Sequence, residues 1–123
     1  MGDLSAHFSK HEFRCSCCGR VEVSPRLIEV LEGIHTWAGI PMTITSGFRC
    51  PAHNAAVGGK PNSAHLRGEA ADFFVSGSQD RFKFLEAAFM GEALRIGIGP
   101  DFIHIDVAVD LPMEVCWLYG AGA

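Results

Sequence analysis

The chain has 123 residues, enough for one domain spanning residues 1–123 and too few for two. Its 48% hydrophobic and 20% charged content fits a globular chain in water, and a domain of this length buries roughly two-thirds of its unfolded surface without a staple. A net charge of −4, with the ten Lys and Arg scattered rather than clustered, argues against a nucleic-acid partner, and no apolar stretch approaches the ~18 residues of a membrane span.

The first segment, MGDLSAHFSKHEF, has no basic stretch followed by an apolar one, so no signal peptide is expected. The chain is then expected to stay in the cytoplasm until something releases it. Ser9 with Glu12 three residues later forms a capping-box pattern, which predicts a short helical turn from Lys10. The run RCSCCGR interrupts it. Ser24-Pro25 supplies an N-cap and a proline for the first helical position. Leu27, Val30, Leu31, Ile34, Trp37 and Ala38 follow at helical spacing until Gly39 and Pro41 stop the helix.

Met42 to Phe48 alternates and is β-branched, as in a strand. From Arg49 to Arg67 the chain is rich in Pro, Gly, Asn and His, an irregular stretch with one helical turn near Ala52 to Val57. A long loop that carries this many ligand-type side chains is a functional candidate. Ala70 to Val75 predicts a strand, and Ser78 to Met90 a helix with Phe82, Leu85 and Phe89 on its apolar face. Short strands are expected at Leu94 to Ile98, Phe102 to Val107 and Met113 to Leu118. Helices and strands do not alternate regularly and the late turns are short. That pattern predicts an α+β fold with an antiparallel sheet flanked by helices.

Three segments carry chemistry. In SAHLRGEAADF, His65 and Asp72 are seven residues apart with Gly68 between them. Imidazole and carboxylate both suit zinc, and an aspartate inside an apolar strand is costly unless paired or bound to a cation. The alternative is an Asp satisfied by backbone N–H groups with His65 exposed. In DFIHIDV, alternation puts Phe102, His104 and Asp106 on one face and Ile103 and Ile105 on the other. His104 would complete a set of two histidines and one aspartate, which leaves a tetrahedral ion one open position, as catalytic zinc has. The competing reading is a core histidine paired with Asp106. Asp101, three residues before His104, has the chemistry of a general base. In TSGFRCPAHN, Arg49 follows a strand and suits a bidentate carboxylate, although a surface ion pair would use an arginine equally well. H-E-x-x-H, G-x-S-x-G and P-loop patterns are absent, and His7 and His11 have no partners to complete a site.

Together these stretches resemble the zinc D-Ala-D-Ala carboxypeptidase family, in its branch of small single-domain peptidases. SGFRCPAHNAAVGGKPNSAHLRGEAADF is similar to that branch's signature. Arg49 stands after the SGxR strand; Ser63, His65, Gly68, Ala70 and Asp72 match S-x-H-x-x-G-x-A-x-D; Asp101 and His104 match an acidic residue three before a histidine. The resemblance implies a hedgehog/DD-peptidase-like fold and a zinc-dependent hydrolase acting on the stem peptide of cell-wall peptidoglycan, as a DD-carboxypeptidase, an endopeptidase or an endolysin. It implies Zn²⁺ on His65, Asp72 and His104, proton transfer by Asp101, and a substrate carboxylate or carbonyl on Arg49. Asp106 would sit behind a ligand, and His53 and Trp117 would line the cleft. A monomer is expected. A non-catalytic, zinc-containing binding module of the same fold is the alternative. Cys15, Cys17, Cys18 and Cys50 leave three readings open: a disulfide to Cys50, a second structural metal site, or reduced thiols.

Overall fold

In the computed structural model, which describes residues 2–119, the capping-box turn is a short 3₁₀ helix over Lys10–Glu12, with the Ser9 N–H donating to Glu12 Oε2 at 2.7 Å. Ser24 caps α1 (Pro25–Ala38) as its sequence requires, its Oγ accepting from the N–H groups of Arg26 and Leu27. There follow β1 (Ile44–Ser46), α2 (Pro51–Ala56), a second 3₁₀ helix (Ala64–Arg67), β2 (Ala70–Phe74), α3 (Gly77–Met90), β3 (Arg95–Ile98), β4 (Phe102–Asp106) and β5 (Val115–Leu118). The α+β expectation holds. No described helix is long and apolar enough to cross a membrane.

The strands form one sheet in the order β1-β2-β4-β3-β5. All neighbours are antiparallel except β3 and β5, which run parallel. That pairing departs from the expected antiparallel sheet. The chain leaves β4 and enters β5 at the same end, because Asp106 and Val115 both lie opposite Arg95. Residues 107–114 therefore pass the end of β3 and turn back, so β5 runs opposite to β4 and takes the outer edge parallel to β3.

Alternation gives the sheet two chemically different faces. Ala71, Phe73, Ile96, Ile103 and Ile105 join Leu27, Leu31 and Ile34 of α1 and Phe84, Ala87 and Ala88 of α3 in one buried cluster. Phe73 meets Phe84 edge-on at 4.9 Å. The expected stripe on α3 is corrected here. Phe82 and Phe89 are exposed, at 69% and 62%, and Leu85 is only partly buried. The helix instead turns Phe84, Ala87 and Ala88 inward, because two alanines let it approach α1 closely where a row of phenylalanines would not. Trp37, expected on the buried face of α1, is also exposed.

On the opposite face one row of residues crosses the sheet in register. Ser46 lies opposite Asp72, Asp72 opposite His104, His104 opposite Gly97, and Gly97 opposite Trp117. A register shift in β1 helps to build the row. Two residues of β1, from Ile44 to Ser46, oppose one step of β2, from Phe73 to Asp72. An extra residue of this kind re-aims side chains, so Ile44 joins the core side while Ser46 joins the polar row.

The loop that delivers His65 is fixed at Gly68, which adopts φ +70°; a Cβ there would sit 2.1 Å from the Glu22 carbonyl oxygen. Its own carbonyl accepts the Ser24 N–H at 2.8 Å, tying the loop to the start of α1. Gly68→Ala should lower the unfolding free energy by about 1–3 kcal/mol through backbone strain plus this clash. Gly58→Ala, at φ +75° with open space around the added carbon, should cost about 1 kcal/mol. Urea melts of the two variants give the comparison, and equal losses would show that the contact with Glu22 contributes nothing.

Candidate metal centre

The S-x-H-x-x-G spacing is a capped turn. Ser63 Oγ accepts the His65 N–H at 3.2 Å, Ala64–Arg67 form the 3₁₀ helix, and Gly68 closes it in the left-handed conformation. The turn points His65, 2% exposed, at the polar row. Its Nδ1 lies 2.7 Å from the Gly47 carbonyl. A carbonyl only accepts, so Nδ1 carries a proton and the neutral ring keeps its lone pair on Nε2. That nitrogen is 3.3 Å from Asp72 Oδ1.

His104 approaches the same oxygen from the next strand, with Nδ1 2.8 Å from Asp72 Oδ1. Its Nε2 donates to Asp106 Oδ2 at 2.7 Å. Asp106 is fixed in turn by Arg95 Nε at 2.7 Å and the Ala108 N–H at 3.2 Å, both on Oδ1. Each imidazole therefore has one nitrogen anchored outside the cluster and the other aimed at Asp72. This is how metal-binding histidines are usually oriented. Ligand atoms of His65, Asp72 and His104 all lie within 4.8 Å of one another. A tetrahedral ion with bonds of about 2.0–2.1 Å needs donors about 3.3 Å apart, so the three residues fit a metal with small adjustments.

Arg49 reaches Asp72 rather than standing free. Its Nη2 is 3.5 Å from Asp72 Oδ2, its Nε donates to Ser46 Oγ at 3.2 Å, and its Nη1 to Asn54 Oδ1 at 3.4 Å. Asn54 is buried and donates to the Lys60 carbonyl at 2.9 Å, so the loop after β1 holds the guanidinium in place. Asp101 is not drawn into the cluster. It lies exposed in the turn between β3 and β4, where its backbone carbonyl accepts the Val75 N–H at 2.8 Å and its carboxylate has no hydrogen-bond or ion-pair partner among the described residues. Trp117 packs its ring 5.4 Å from His104, with Tyr119 at 6.2 Å. Gly97 makes room for both, since a Cβ there would meet Tyr119 at 2.5 Å and Trp117 at 2.8 Å. His53 is outside the three-residue cluster, its Nε2 3.1 Å from Ser16 Oγ.

Arg95 and Tyr119 are among the contributors missed in the sequence, with Ser46, Gly47 and Asn54, which hold Arg49 and His65. Arg95 faces Asp106 across a hairpin centred on Pro100, and the opposite charges spaced evenly about that turn were the available signal. Tyr119 follows β5, whose parallel pairing nothing local encodes.

The chain matches the family model described as Peptidase M15 over residues 6–106. It belongs to the Peptidase M15 family. No curated protein matches the chain. The M15 peptidases are metal-dependent enzymes of the zinc D-Ala-D-Ala carboxypeptidase type, and the α+β architecture is their hedgehog/DD-peptidase-like fold.

The electrostatics of this M15 site follow from the contacts. Burial pushes the Asp72 carboxyl upward, but hydrogen bonds and charge from His104 and His65 outweigh it and hold the group well below the usual carboxylate range. Asp106 is likewise lowered, against burial, by His104, Arg95 and the Ala108 N–H. Burial would lower His104, but Asp106 and Asp72 raise it. In the metal-free protein the His104 contribution to stability is complete below its ordinary value of 6.5 and disappears as pH rises through the raised one. The two carboxylates contribute above their ordinary value of 3.8 and lose that contribution as pH falls. Metal-free protein should therefore be most stable between about pH 4 and 6.5. Metal requires neutral imidazole, so added metal should stabilise most above that window. Denaturation midpoints across pH, with and without metal, measure both trends; a metal effect that grew toward acid pH would contradict them.

Proposed function

We propose that the chain is a zinc-dependent peptidase that hydrolyses peptide bonds in bacterial cell-wall peptidoglycan, as a DD-carboxypeptidase or as an endopeptidase of the endolysin type. The observation that carries this reading is the convergence of His65 Nε2, Asp72 Oδ1 and His104 Nδ1, with the remaining ring nitrogens held by Gly47 and Asp106. Membership of the M15 family supports the metallopeptidase chemistry. Zn²⁺ held by these three residues would supply a Lewis acid that polarises a carbonyl and acidifies water.

The chain's own residues would do the rest. Asp101, exposed in the β3–β4 turn and without an ion-pair partner among the described residues, would accept a proton from the attacking water and pass it to the leaving amine once substrate closes over it; catalytic contacts of this kind often tighten only in the complex. Arg49 would hold Asp72 in place through Oδ2 and offer its remaining donors to a peptide carboxylate or carbonyl. Trp117 and Tyr119 would form an aromatic wall beside His104 that excludes water and packs the stem peptide.

One observation favours a second reading. The Asp101 carboxylate makes no contact with the cluster, as in a binding module that keeps the fold and the metal without the chemistry. Digestion of purified peptidoglycan, with released amines and peptides resolved by mass spectrometry, separates the two. Asp101→Asn should lose about 10²–10⁴-fold in rate while keeping the metal at this centre, and His65→Ala should lose both the rate and the metal at this centre. Wild-type protein that binds zinc and peptidoglycan but releases no fragment would favour the binding module.

A further inference from the structure

The peptidase reading leaves the cysteines without a role, yet the fold gathers four of them. Cys15, Cys17, Cys18 and Cys50 place their sulfurs within 4.8 Å of one another. The Sγ atoms of Cys15 and Cys17 are 3.6 Å apart, and those of Cys17 and Cys50 are 3.2 Å apart. All are free thiols. Zinc bound by four thiolates at about 2.3 Å sets its sulfurs about 3.8 Å apart, so these two pairs would open by a few tenths of an ångström around an ion. A single disulfide would join two of the sulfurs and leave the other two without a partner of that kind.

The local backbone is shaped for thiolates. Cys15 and Cys18 are separated by two residues, the spacing of closed structural zinc sites. The turn that follows is closed by Gly19 at φ +75°, with the Gly19 N–H donating to the Cys15 carbonyl and the Cys15 N–H to the Arg20 carbonyl. Backbone N–H groups also point at sulfur: that of Cys50 at Cys15 Sγ and that of His53 at Cys50 Sγ, each at 3.4 Å. Such donors favour an ionised sulfur. Phe48 packs with Cys15 and Cys50, and the Arg20 guanidinium lies over its ring at 5.5 Å.

We propose that Cys15, Cys17, Cys18 and Cys50 form a second, structural zinc site, a closed tetrathiolate that fastens the N-terminal segment to the loop carrying Arg49. Binding transfers the thiol protons to solvent and leaves every sulfur in its reduced state. Cys50 directly follows Arg49 and caps α2, the helix bearing Asn54. The site thus anchors the base of the wall that orients Asp72, from outside the peptidase centre and independently of its activity.

The test uses the whole chain, purified with reductant, as wild type and as His65→Ala, which leaves the cysteines untouched. Zinc-loaded wild type should hold about two ions per chain and His65→Ala about one. Cobalt exchanged into either should give thiolate-to-metal charge-transfer absorption, which imidazole and carboxylate ligands do not produce. In zinc-loaded protein only Cys116 should react quickly with a thiol reagent, and all five cysteines should react after chelation. Cys17→Ser, at an exposed position, should weaken the cobalt charge-transfer absorption and loosen the metal without emptying the core. Absence of that absorption in wild type, with all thiols equally reactive in zinc, would overturn the proposal. So would an intact mass short of two hydrogens per bond in the unreduced protein, which would assign the cluster to disulfides.

Discussion

The open face of the sheet is arranged around the ionised carboxylate of Asp72. Placing such a group in the middle of a strand costs several kcal/mol unless charge and hydrogen bonds compensate. Here one oxygen meets two imidazoles and the other a guanidinium. Each of those partners is itself fixed, His65 by the Gly47 carbonyl, His104 by Asp106, and Arg49 by Ser46 and Asn54. Removing any one leaves a buried charge short of a partner, so the site and the local fold stand together. A cation at the same point satisfies the carboxylate and both nitrogens at once.

The rest of the architecture delivers those partners. Apolar residues alternate onto the helix-covered face, and this pins the register that brings Asp72 opposite His104. A slip of one residue would carry the aspartate into the core and Phe73 into the site. The register shift in β1 brings Ser46 into the row, and the capped turn at Ser63–Gly68 brings His65 from a loop that would otherwise wander. Gly97 lets Trp117 and Tyr119 crowd against His104. The polar site is rigid because its positions are set by the packing on the other side.

Local signals made much of this legible. The Ser9–Glu12 box, the Ser24-Pro25 cap and the alternation in Phe102–Asp106 are short-range patterns, and the structure follows each of them. The meeting of His65, Asp72 and His104 was readable because an aspartate in an apolar strand demands a partner and because the three segments together resemble the family pattern; the residues alone left a His104–Asp106 pair equally open. The inward face of α3 was misread because Phe82 and Phe89 make as regular a stripe as Phe84, Ala87 and Ala88, and only the closeness of α1 chooses between them. The parallel pairing of β5 depends on where residues 107–114 cross, which no local pattern specifies. The run Cys15–Cys18 was visible in the sequence and the resemblance hinted at Cys50 beside it, but neither gave the cluster's geometry. That depends on the backbone bond from the Phe48 N–H to the Phe13 carbonyl, 2.8 Å, which draws the N-terminal segment onto the loop after β1.

The central claim is that His65, Asp72 and His104 form a metal centre and not a self-contained ion-paired cluster. Anomalous diffraction at the zinc absorption edge, on crystals of zinc-loaded protein, tests it directly. The account predicts a peak within bonding distance of His65 Nε2, an Asp72 oxygen and His104 Nδ1, with the Gly47 and Asp106 contacts to the far ring nitrogens preserved. No peak at that point, with His104 still bonded to both Asp72 and Asp106, would contradict it.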